Sequence, residues 1–127
     1  MSAPIMGALI TTPGQTAALI RESIQESGRA ALWLDEDHRV IEVQTLDLPD
    51  DAPAQLRARE CLRVGLQLNA TACILASIVD THDVCPSGPD MRLDSQVRLA
   101  LATVDVRMLD HLKITPSDYF SFALALT

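Results

Sequence analysis

Residues 72–79, ACILASIV, form a nearly continuous apolar run of strand length, which predicts a central strand buried on both faces. Such a strand needs amphipathic elements on either side to cover it. Thr12-Pro13-Gly14-Gln15 reads as a helix start, with Thr12 as N-cap and proline at the first helical position. Ala17, Ile20 and Ile24 then share one face, and Gly28 is the expected stop. Residues 1–11 read as an irregular arm. Residues 30–34 and 39–46 read as two strands joined by the polar loop Asp35-Glu36-Asp37-His38, with Ile41, Val43 and Thr45 alternating with polar neighbours. A break over residues 49–53 precedes a second helix, where Ala58, Cys61, Leu62 and Gly65 fall at helical spacing, ending near Asn69. A polar loop runs from residue 80 to Gly88. Leu93, Val97, Ala100, Leu101 and Val104 mark a third helix, and residues 107–114 a further strand. Phe120, Phe122, Leu124 and Leu126 alternate with smaller residues, which predicts a last strand over residues 119–126, placed at a sheet edge. Strand pairs alternating with helices imply an α/β fold, a mixed sheet flanked by helices, in one domain spanning residues 1–127.

The charge narrows the function classes. The chain of 127 residues carries a net charge of −7, a field that repels phosphate backbones. Arg57, Arg59 and Arg63 are the candidate basic patch and read as the solvated face of the second helix. Direct nucleic-acid binding is therefore not expected. The three cysteines show no CxxC pair, which suits free thiols in a reducing compartment. The first residues lack the basic region of a signal peptide, and no segment has the apolar length of a membrane span, so the expected location is cytoplasmic.

Three stretches carry a family resemblance. LATVDVRMLDHLKI (residues 101–114), LWLDEDHRVI (32–41) and LNATACILAS (68–77) resemble the RadC branch of the JAB/MPN (JAMM) metalloprotease-like domains. The resemblance implies a three-layer sandwich of cytidine-deaminase-like architecture. Active members of the wider family bind zinc through His-x-His, ten further residues and an Asp, with an upstream Glu as general base. That chemistry needs three ligands, an open zinc position for water, and a base to take its proton. In this chain the histidine positions fall on Ser77 and Val79, the Asp position on Asp90, and the preceding Ser of the motif on Ser87. The Glu position falls on Ser27, with Glu26 adjacent. An isopropyl group has no lone pair to give and a hydroxyl is a weak neutral ligand, so the inherited site is expected to hold no metal. The resemblance then implies a catalytically inactive domain with no resident cofactor, acting through a protein partner or self-association. The family's traditional label adds a weaker reading, a DNA-repair accessory. No small-molecule ligand is indicated.

A rival reading relocates the metal. The loop DTHDVC offers His82, Asp83 and Cys85, which with Asp90 make a mixed set of donors for a zinc hydrolase with a rebuilt site. It predicts that these side chains converge. Against it, the loop reads as polar surface, and Asp90 reads as the third residue of a helix capped by Ser87. Asp110 and His111, from the Leu-Asp-His signature, are expected to satisfy backbone or helix-end groups near the cleft, and His38 to be solvated. Cys61 and Cys73 read as core, Cys85 as exposed. Trp33, Phe120 and Phe122 read as core residues on strands.

Overall fold

The computed structural model describes residues 5–46 and 53–125. The predicted break over residues 49–52, the first four residues of the arm, and Leu126 lie outside them. The apolar run becomes β3 (Ala72–Ile78), buried at every position but the last. Its side chains alternate between two cores, as strand geometry requires. Cys73 and Leu75 enter one core with Ala31 and Trp33; Ala72, Ile74 and Ala76 enter the other with Leu32 and Leu34.

The sheet has five strands in the order β2-β1-β3-β4-β5, comprising β1 (Gly28–Leu34), β2 (Val40–Thr45), β3, β4 (Arg107–Ile114) and β5 (Tyr119–Ser121). It is mixed: β3 and β4 run parallel, and the remaining pairs are antiparallel. Helices α2 (Ala54–Leu68) and α3 (Gly88–Ala102) cover one face through Ala58, Cys61, Leu93, Val97 and Leu101. Helix α1 (Pro13–Ser23) covers the other through Ala17 and Ile20, with Ile5 of the arm beside them. This is the expected sandwich of helices on both faces of a mixed sheet. Among the described residues, no helix is long and apolar enough to cross a membrane.

Several local expectations need correction. Helix α1 begins at the predicted cap, Thr12 accepting from the Gln15 backbone N–H at 3.2 Å, but it stops at Ser23 rather than at Gly28. Residues 24–27 turn the chain, and Gly28 opens β1 at φ 148°, a conformation that favours glycine. The arm is partly ordered by β2: the Gly7 N–H donates to the Val40 carbonyl at 2.8 Å and Val40 returns a bond to Ala8 at 3.0 Å. The last predicted strand is cut short. After Ser121 the chain enters a helical turn, α4 (Phe122–Ala125), because the Asp110 carboxylate accepts the Ala123 backbone N–H at 3.0 Å. Phe122 therefore packs from a helix and not from a strand, and the expected edge over residues 119–126 shrinks to three strand residues.

One irregularity positions the site. Between β3 and β4, Cys73 pairs with Met108 but Ile74 pairs with Asp110, so Leu109 is an extra residue, a β-bulge. The bulge changes the phase of β4. Leu109 packs on the α1 side, and from Asp110 onward the alternation is reversed relative to Met108. His111 and Lys113 thereby stand on the α3 side, in register with Leu75 and Ser77.

Candidate functional site

Where β3 ends and α3 begins, the structure holds an open cavity of about 450 Å³. Its walls include Ser27, Arg29, Ser77, Val79, Asp90 and Lys113. The positions that resemble the zinc motif are thus brought together. Ser27 reaches this cavity, whereas the adjacent Glu26 is exposed and lines a neighbouring hollow. Of the two neighbours, Ser27 and not Glu26 stands on the wall of this cavity.

Asp90 is buried, and both its oxygens are engaged. Oδ2 accepts the Ser87 backbone N–H at 2.9 Å, while Ser87 Oγ accepts the Asp90 N–H at 3.1 Å, which is the predicted capping box. Oδ1 receives the Arg29 guanidinium at 3.1 Å, and Lys113 Nζ stands 3.5 Å from Oδ2. Lys113 also donates to the Cys85 carbonyl at 2.5 Å, tying the loop before α3 to the sheet. Burial opposes ionisation of Asp90, but the bonds from Ser87 and Arg29 and the Arg29 charge outweigh it and hold its pKa at about 2.

A chain of polar groups runs inward from the cavity wall, starting at Ser77. Ser77 Oγ lies 3.0 Å from His111 Nε2; both residues are buried, at 1% and 0% exposure, and Ser77 is the one that lines the cavity. His111 Nδ1 lies 3.4 Å from Asp94 Oδ1, a long contact outside hydrogen-bond alignment. Asp94 is also bound by Arg98 Nη2 at 3.1 Å, and Arg98 extends toward the surface. Burial disfavours the charged Asp94, yet its contacts with His111 and Arg98 bring its pKa below the usual carboxylate range. The imidazole is sandwiched against Phe122, with ring centroids 4.2 Å apart and planes 8° from parallel.

These findings divide the residues singled out from sequence. Ser77, Val79 and Asp90 converge; His82, Asp83 and Cys85 do not join them. His82 is exposed beside Ser117, 3.4 Å away, and the Asp83 carboxylate accepts the Cys85 backbone N–H at 2.9 Å. Among the described residues, no group of three or more His, Cys, Asp or Glu side chains is arranged to hold a metal. Asp110 meets its expectation, accepting from Ser121 Oγ at 2.6 Å and capping α4. His111 does not: its ring is bound to the Ser77 side chain in the cavity wall. His38 is half-buried at φ 62°, in a hollow near Ile10 and Leu124, instead of solvated. Arg57 turns inward and donates to the Leu46 carbonyl at 3.3 Å, so the three arginines of α2 do not form one solvated face. Cys61 and Cys73 are buried and Cys85 is exposed, as expected; burial pushes the Cys61 thiol up to about 12. Sequence reasoning missed Arg29, Lys113 and Asp94. The spacing Asp90, Asp94, Arg98 was a signal for the last, because residues four apart share a helix face.

Zinc does not fit this donor set. Val79 contributes no lone pair, Ser77 is already bonded to His111, and the Asp90 carboxylate is neutralised by two cationic side chains.

The chain matches the RadC-like JAB domain over residues 10–126. It is 35% identical over 120 residues to a UPF0758 protein of Burkholderia mallei, an alignment covering 92% of this chain and 43% of that protein. UPF0758 proteins of Vibrio cholerae and Chromohalobacter salexigens are each 33% identical, with 92% of this chain and 54% of the relative covered. The chain spans about half the length of the curated relatives it matches.

Proposed function

This chain belongs to the RadC-like JAB domain family, and on that premise we propose that it is a zinc-free member that acts through protein contact rather than metal-assisted hydrolysis. One observation carries the reading: Asp90 is held between Arg29 and Lys113. A divalent cation entering there would have to displace one or both cations and then sit beside them. At such separations, in a partly buried site, like charges repel by several kcal/mol each. The two positions that would offset that repulsion with imidazoles hold Ser77 and Val79. A five-stranded sheet with helices on both faces stands while the two imidazole positions hold Ser77 and Val79, which favours a role for shape and surface over metal-assisted hydrolysis.

Purified chain incubated with zinc and dialysed should retain far less than one zinc per chain by elemental analysis, and should not cleave a panel of fluorogenic isopeptide reporters. Stoichiometric zinc would overturn the reading. A second copy of the chain is the first partner to test, by sedimentation velocity across a concentration series. The rebuilt site at His82, Asp83 and Asp90 gains no support from the geometry, since His82 faces Ser117 and Asp90 faces Arg29. A role in DNA repair through direct contact is disfavoured by the charge of −7 and the inward turn of Arg57.

A further inference from the structure

We propose that Ser77 is a nucleophile for acyl transfer, with His111 as its general base and Asp94 orienting the imidazole. Three elements deliver the three groups: the end of β3, the bulge-shifted part of β4, and the second turn of α3. A hydroxyl bonded to one ring nitrogen and a carboxylate facing the other is the arrangement by which a serine is activated, and it is recognised by geometry rather than by order in the chain. Asp94 Oδ1, 3.4 Å from Nδ1, favours the tautomer that carries its proton there, which leaves Nε2 as acceptor for the Ser77 O–H at 3.0 Å. Arg98 on the far side keeps Asp94 anionic, and Phe122 fixes the plane of the ring.

Ser77 also lines the cavity, together with Arg29 and Lys113. A small ester fits a space of about 450 Å³. As Ser77 Oγ bonds to the ester carbonyl carbon, its proton passes to His111 Nε2. The carbon–oxygen bond to the alcohol breaks, and His111 returns the proton to the departing oxygen. Water then enters, gives its proton to His111, attacks the acyl-serine and releases the acid, restoring the Ser77 hydroxyl. Arg29 and Lys113 line the same cavity and are the cationic groups available to a developing oxyanion, tempered by Asp90. This inference is independent of the zinc-free reading of Asp90, and zinc content is unaffected by its test.

The probe is a fluorophosphonate, followed by intact mass and site mapping on the full chain. Wild type should gain one adduct, on Ser77, at a rate that rises with pH to a plateau through one inflection. Ser77→Ala should gain none. His111→Gln should label about 100-fold more slowly and without the inflection. Asp94→Asn, which tests a positioning residue, should shift that inflection as well as slow the rate. Folded wild type without a Ser77 adduct, or an equal rate and pH profile in His111→Gln, would overturn the proposal. Should His111→Gln fail to fold, Ser77→Cys in a Cys85→Ser background decides. Alkylation of Cys introduced there should run about 10-fold faster at pH 6 than for an ordinary thiol, and an ordinary rate would sink the idea.

Discussion

Asp90 has its partners in the cap of α3, in β1 and in β4. Its carboxylate closes the capping box with Ser87 and holds Arg29 and Lys113, so three elements meet at one charge. Removing the charge leaves two nearly buried cations facing each other. Asp90→Asn should therefore cost roughly 3 kcal/mol in urea unfolding, in the range seen when one partner of a buried pair is deleted. The pH dependence follows from the same contacts. The folded pKa of about 2 lies below the ordinary 3.8, so the stabilisation is fully present above about pH 4 and is lost as pH falls toward 2. A difference of that size corresponds to about 2 kcal/mol. Asp94 adds to the loss in the same direction, its pKa also being depressed. The acid limb of the unfolding curve, measured by circular dichroism between pH 5 and 2, should be shallower in Asp90→Asn than in wild type.

Helix α2 and strand β1 approach closely at Gly65 and Trp33. A Cβ on Gly65 would lie 2.5 Å from the Trp33 ring, which is fully buried and anchored by its indole N–H to Gln44 at 3.0 Å. Gly65→Ala gains helix propensity but forces the ring or the helix to move. Overpacking of this kind costs about 1–3 kcal/mol, more than the propensity gain of about 1 kcal/mol, so Gly65→Ala should lower the melting temperature. The helix boundaries at Thr12, Ser87 and Asn69 were legible because caps are local chemistry. The end of β5 was not, because the alternation of Phe120, Phe122 and Leu124 matches a strand until Asp110, distant in sequence, captures the Ala123 N–H. The bulge at Leu109 was equally illegible, since nothing local distinguishes the residue that two strands leave unpaired.

As a whole, the molecule places two cores on opposite faces of one sheet, and each strand of the central pair feeds both. Neither core can open without exposing β3, so unfolding should be a single transition, with Trp33 fluorescence and far-ultraviolet circular dichroism giving coincident midpoints in urea. Noncoincident midpoints would mean that the α1 face separates first. The mixed sheet with helices on both faces was readable from the apolar run of β3 and the periods around it, because hydrophobic period is a property of the chain itself; the grouping of Ser77, Val79 and Asp90 was legible only through the family resemblance. Tertiary structure alone decided that Arg29 and Lys113 flank Asp90, and that His111 stands between Ser77 and Asp94. Those contacts depend on the register of parallel strands and on one bulged residue, and register is set by pairing between segments that the sequence does not place side by side.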